Sequence, residues 1–179
     1  MRMPENKVLF DKISIFPTYI WNTFIQNLDL NFWVKEVYEY QQKFPEGVHK
    51  SNTGGYQSPP NIHHYQPFFP LVDLLNTYVF NFSSNPNFKI FDMWVNISPP
   101  TSFNLIHNHG DDKTLSGVLY LKSFPNSGNI CFYNNLNPNE FHCIKPENGK
   151  LLLFESPLFH SVNPNLSQED RISIAFNIK

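Results

Sequence analysis

Three histidines and an arginine are the side chains here whose types and spacing could do chemistry. His107 and His109 stand two positions apart, and His160 closes a strand-like run much further along. Residues two apart in a strand face one side, so His107 and His109, at the end of SFNLIH, could offer imidazole nitrogens to one point about 2 Å from each. An imidazole from an opposing strand would complete one face of a divalent cation. Three ligands on one face leave the other octahedral positions open, the arrangement in which non-haem Fe(II) takes an oxidisable co-substrate and then O2. An H-x-H pair near a turn is also commonly only a solvated pair, so this reading needs support from elsewhere in the chain.

That support comes from the last strand-like run, RISIAFNI, which opens on Arg171 and carries Ser173 on the same face. A lone arginine usually belongs to a surface ion pair. One set in an otherwise apolar strand, just beyond a candidate ligand, fits better with an anion inside the fold. Its planar fork binds a carboxylate bidentately and the neighbouring hydroxyl adds a further hydrogen bond. The remaining histidines offer less. His63 and His64 are adjacent in a loop-like stretch and cannot easily turn both rings on one site, and His49 and His142 read as structural or exposed. Cys131 and Cys143 lie beside apolar runs with no C-x-x-C pair, which indicates buried thiols rather than a disulfide framework or a zinc ribbon.

Helices come first among the elements that must position these groups. Leu30, Trp33, Val34, Val37 and Tyr38 form one stripe of a 3.6-residue period, with Lys35, Glu36 and Glu39 off it. A second helix is expected from Pro70 through LVDLLNTYVF, ended by the turn formers of Ser83 to Asn87. Between them, Phe44 to Pro67 is dense in Gly, Pro, Ser and Asn and reads as a long loop, of the size that often carries function. After Phe88 the pattern changes to eight short apolar runs separated by turns such as SPPT, FPNSG and PENG. That spacing is expected of an antiparallel double-sheet fold, a sandwich, barrel or jelly roll. Trp94 and Asn96, on the strand before the one leading to His107, could line a pocket, although a half-buried strand also explains them.

The chain has 179 residues, 41% of them apolar and 16% charged, with eighteen Phe, eight Tyr and three Trp. Such a chain can bury one sizeable core, and one domain over 1–179 is expected, with 1–87 as helical support and loop and 88–179 as jelly-roll core. A net charge of −2 and no basic run give nucleic acid no footprint. No apolar stretch is long enough to span a membrane, and the amino end lacks the apolar segment of a signal peptide, so a soluble cytoplasmic protein is expected.

Taken in order, an H-x-H, a strand ending in YL, a Gly turn with an apolar run and a closing H…R-x-S resemble the Fe(II)- and 2-oxoglutarate-dependent dioxygenases of the double-stranded β-helix fold. KSNTGGYQS at 50–58, HNHGDDKTLSGVLYLK at 107–122 and GKLLLFESPLFHSVNPNLSQEDRISIAFN at 149–177 look like one branch of that superfamily. The resemblance implies a mainly β, jelly-roll or cupin-like fold with N-terminal helices. It implies Fe(II), 2-oxoglutarate and O2 as cofactor and co-substrates, decarboxylation of 2-oxoglutarate to succinate, and hydroxylation of a small-molecule or peptide substrate. Carried over by residue, His107 and His160 would bind iron, Arg171 and Ser173 would clamp the far carboxylate of 2-oxoglutarate, and Tyr120 would direct its phenol there. The superfamily pattern is H-x-[DE], and this chain departs from it. The third ligand is His109 if His107 is first, or Asp111 if His109 is first, and the run TSFNLIH favours the former. The segment 50–58 would fold over the site. Two other functions fit the same residues, a non-catalytic jelly-roll binding or assembly module and a three-His dioxygenase that does not use 2-oxoglutarate.

Overall fold

A computed structural model describes residues 9–16, 18–110 and 115–179. Two antiparallel sheets face one another, and two helices cover the outer face of the larger one. The chain opens with a hairpin, β1 (Asp11–Ile15) and β2 (Thr18–Phe24), followed by α1 (Leu30–Lys43). The two-residue strands β3 (Asn52–Thr53) and β4 (Tyr56–Gln57) and two short 3-10 turns lead into α2 (Phe69–Ser83). Eight strands follow: β5 (Ile90–Ser98), β6 (Phe103–His107), β7 (Leu115–Lys122), β8 (Ile130–Asn134), β9 (Asn137–Ile144), β10 (Lys150–Glu155), β11 (His160–Val162) and β12 (Arg171–Ile178). The larger sheet runs β1-β2-β10-β7-β12-β5-β4 and the smaller β3-β6-β11-β8-β9. This is the expected mainly β, double-sheet fold with helices ahead of it.

Strand alternation separates the core from the site. On β12, Ile172, Ile174, Phe176 and Ile178 turn to the helices, where they join Trp33, Val37 and Tyr40 of α1 and Leu71, Leu75 and Val79 of α2. Burying each such side chain is worth about 1.5–3 kcal/mol. The alternate residues Arg171, Ser173, Ala175 and Asn177 face the space between the sheets. Both helices start and stop where their chemistry directs. The Asp29 side chain accepts the Phe32 N–H at the start of α1, while α2 carries Pro70 in its first turn and ends at Ser84 in the left-handed region.

Two expectations need correction. Residues 1–87 hold more than helical support and loop, because β1 and β2 extend the larger sheet beyond β10. Cys131 and Cys143 are bonded to each other rather than free, since β8 and β9 pair with these residues directly opposite. Disulfides persist mainly in oxidising compartments, which sits poorly with the cytoplasmic expectation. No helix among the described residues is long and apolar enough to cross a membrane.

Candidate active site

The space between the sheets is a cavity of about 690 Å3, and the three histidines meet on its wall. One ring nitrogen from each of His107, His109 and His160 lies within 4.8 Å of the others. Strand pairing places two of them: His160 of β11 is the direct partner of His107 of β6, beside a register shift between His160 and Val162. His109 arrives differently. It lies beyond the end of β6, so strand alternation does not aim it. Its backbone N–H donates to the Ser156 carbonyl (2.9 Å), and its Nδ1 lies 2.7 Å from Asn177 Oδ1 and 3.0 Å from Ser116 Oγ.

All three rings are held by the same nitrogen. Nδ1 of His107 donates to the Leu105 carbonyl (2.8 Å) and Nδ1 of His160 to that of Leu158 (2.9 Å), and an amide oxygen serves the same purpose for His109. Tying Nδ1 fixes the tautomer and leaves each Nε2 as a lone-pair donor. On His107 that atom meets, among the described residues, only the Ser51 hydroxyl, at 3.3 Å. Burial holds the pKa of all three below the usual imidazole value, furthest for His160, where the neighbouring His107 and His109 add to the effect. The rings are therefore neutral near pH 7, the state in which they bind metal. Three neutral imidazoles suit iron, zinc, nickel or copper, so the donor set fits the metal implied by the resemblance without selecting it.

The same shifts carry a stability cost that can be measured. As pH falls through the unfolded imidazole value of about 6.5, the unfolded chain takes up protons before the folded one does. The metal-free protein should therefore lose stability steadily below about pH 6.5, and His160→Gln should show a smaller loss. Urea midpoints at pH 7.5 and 5.5 compare the two, and equal slopes would show that His160 does not hold a depressed pKa.

Arg171 lies at the other end of the cavity floor. It is 3% exposed, donates from Nη1 to the carbonyls of Ser127 (2.6 Å) and Gly128 (3.2 Å), and donates from Nη2 to Ser98 Oγ (3.1 Å). Three of its five N–H groups are thereby used, leaving two for a ligand. No acidic side chain among the described residues pairs with it. Gly128, at φ +92°, is required by this seat, because a Cβ there would strike the Asn163 carbonyl and come within 2.6 Å of Nη1. Ser173 is the cross-strand partner of Tyr120, and both line the cavity. Burial pushes the Tyr120 phenol's pKa up against the opposing pull of Arg171, so it stays protonated and able to donate.

Trp94 and Asn96 line the cavity, as do Ser51 and other residues of the Gly-rich segment. That segment joins both sheets, with β3 against β6 and β4 against β5. Its crossing needs Gly55, at φ +72°, since a Cβ would meet the Ile97 carbonyl. His49 is exposed at the cavity edge, whereas His142 is exposed on β9 away from it. His63 and His64 do not line the cavity; their rings stack with centroids 3.9 Å apart. Asp111, the alternative third ligand, lies outside the described residues.

Sequence reasoning overlooked Asn177 and Ser116, which hold His109, and Ser98 and Gly128, which seat Arg171. The period-2 face of β12 was the available signal for Asn177. Removing its acceptor in Asn177→Ala should weaken Ni(II) affinity about 10- to 100-fold, with Asn177→Asp retaining most of it. Isothermal titration of the metal tests this, and equal affinities for the Ala variant and wild type would refute it.

Residues 133–177, about a quarter of the chain, match the family model described as "Putative 2OG-Fe(II) oxygenase". No curated protein matches the chain by sequence. Among solved structures it is similar to a prolyl-4-hydroxylase from Pseudomonas putida, with 16% identity over 91% of this chain and 93% of that one and a TM-score of 0.68. It is also similar to the non-heme alpha ketoglutarate dependent carbocyclase SnoK from nogalamycin biosynthesis (11% identity, 89% and 79% covered, TM-score 0.72). HygX from Streptomyces hygroscopicus, solved with nickel and 2-oxoglutarate bound, gives 13% identity, 90% and 82% covered, and a TM-score of 0.67. Its final strands thus match that family's model by sequence, and over nine-tenths of its length the chain shares the fold of these solved structures.

Proposed function

We propose that the protein is an Fe(II)- and 2-oxoglutarate-dependent dioxygenase, most simply a hydroxylase, with His107, His109 and His160 as metal ligands. The observation that carries this is one cavity holding both a buried guanidinium with no carboxylate partner among the described residues and three converging imidazoles, of whose Nε2 atoms only that of His107 has a protein partner there, the Ser51 hydroxyl. Neither feature helps the fold. Buried imidazoles with depressed pKa values and an arginine without a counter-charge both cost stability, and such costs gather where function requires them. A purely structural jelly-roll module would have no use for either.

Each residue then has a task. Arg171 offers its two remaining N–H groups to the far carboxylate of 2-oxoglutarate, with Ser173 and the protonated Tyr120 as further donors beside it. The three Nε2 atoms hold the metal, and Asn177 with Ser116 fixes the ring of His109. Iron with 2-oxoglutarate and O2 would supply the oxidant for C–H cleavage, the diacid leaving as succinate and CO2. The buried strand faces around the site, with Val118, Phe154 and Ile130 on its wall, exclude water.

Incubation of the purified protein with Fe(II), ascorbate and 2-oxoglutarate should release succinate slowly even without a substrate, and chelation should stop it. A folded, metal-loaded protein that binds no 2-oxoglutarate and forms no succinate would instead support the three-His dioxygenase or the binding module.

A further inference from the structure

The cavity is longer than 2-oxoglutarate can fill. Its floor is laid by paired residues of β12 and β5: Arg171 with Ser98, Ser173 with Asn96, Ala175 with Trp94, and Asn177 with Asp92. At about 3.3 Å per residue this row extends about 20 Å, whereas the four C–C bonds of a five-carbon diacid reach about 6 Å at most. A diacid held by Arg171 occupies the first rungs only. The Trp94 ring, whose centroid is 5.4 Å from that of His109, and the Asp92 carboxylate lie on the rungs beyond.

Asp92 has a structural duty, but one oxygen discharges it. The β5–β12 register shifts between Asn177 and Ile178, leaving Phe91 without a partner, and Asp92 Oδ1 accepts the Asn177 N–H at this bulge (3.1 Å). The Asn177 side chain and the nearby His63 also favour the charged carboxylate, but burial lowers the His63 pKa and keeps that ring neutral, and no Lys or Arg among the described residues pairs with the group. The carboxylate is half-buried on the cavity wall, a position that favours a cation brought by a ligand. An indole face one rung away is the preferred neighbour of such a cation. Among the described residues the other ionisable side chains near this end are His63, beside Asp92, and His49 and Lys50, exposed on the cavity lining.

Resting on the oxygenase reading, we propose that the substrate carries a cationic nitrogen, an amine or a guanidinium, seated between the Asp92 carboxylate and the Trp94 indole, with its reactive C–H over the three histidines. Asp92→Asn isolates the charge, because the amide keeps the Oδ1 acceptor that the bulge needs.

The test uses the Ni(II)-loaded protein, first titrated with 2-oxoglutarate, and then four probes of one chain length: pentylamine, pentylguanidine, 1-pentanol and pentanoate. Affinities come from probe NMR titrations, and the nickel broadens the signals of probe protons near it. Both cations should bind at least about tenfold more tightly than the alcohol and the acid and should be broadened. Asp92→Asn should erase that preference without changing 2-oxoglutarate affinity. Absent cation binding, a preference that survives Asp92→Asn, or a preference for pentanoate lost in Lys50→Met would each overturn the proposal. Failure of wild type to bind 2-oxoglutarate, with the Asp92-dependent cation preference intact, would count against the oxygenase reading and not against Asp92.

Discussion

Arg171→Gln should lower the affinity of the Ni(II)-loaded protein for 2-oxoglutarate by about 100-fold or more. Truncating one partner of a buried, hydrogen-bonded charge pair costs about 2–5 kcal/mol, much of it the penalty of leaving the other charge unpaired. Gln is the informative replacement because it removes the charge and keeps the side-chain stem packed, its amide ending two bonds short of the Nη1 that bonds to the Ser127 and Gly128 carbonyls in the wild type. Ala would leave those acceptors and a hole unfilled. Arg171→Lys restores a point charge without the fork, so it should recover part of the affinity. Metal affinity should change little in either variant, since the arginine holds no imidazole. Two calorimetric titrations, metal and then 2-oxoglutarate, read both quantities on one sample. If wild type showed no 2-oxoglutarate binding and Arg171→Gln changed nothing, the anion in this seat would have to be something else.

The fold was legible where period and punctuation agreed. All eight apolar runs after Phe88 are strands, and both helices lie on their apolar stripes. The first hairpin was missed because DKISI and TYIWNTF precede a strong helical pattern and carry no tight-turn signal between them, so only pairing with β10 makes them sheet. The disulfide was illegible for a reason of register. Continued from the Asn134–Asn137 pair, β8 and β9 would set Cys131 against Glu140, and a shift between Tyr133 and Asn134 sets it against Cys143 instead. Neither composition nor a spacing of twelve residues reveals such a shift. The site divides in the same way. His107, His109, His160, Arg171, Ser173 and Tyr120 could be named from motif and alternation. The atoms that aim them are backbone carbonyls, an amide and hydroxyls on other strands, and they become visible only once the strands are paired.

His160→Ala tests convergence itself, because His160 is the member of the trio that comes from a separate stretch of chain and is 4% exposed. A ligand that binds only the folded state stabilises it by RT ln(1 + [L]/Kd), about 2.7 kcal/mol at a hundred times Kd. For a chain of this length that corresponds to a rise in Tm of about 5–10 °C. Wild type stripped with chelator and then given Ni(II) should show that rise, and His160→Ala should show almost none. Its metal-free Tm reports separately on packing, since the ring also lies against Phe154 and Phe132, with centroids 5.0 and 6.0 Å away. The two effects have opposite signatures. Lost packing lowers the metal-free Tm and leaves the metal-induced rise intact, whereas a lost ligand removes the rise whatever happens to the starting value. Succinate formation should fall with the rise and not with the metal-free Tm. A variant that kept the full nickel-induced shift would place the metal away from β11, leaving the pairing of His160 with His107 as strand geometry alone.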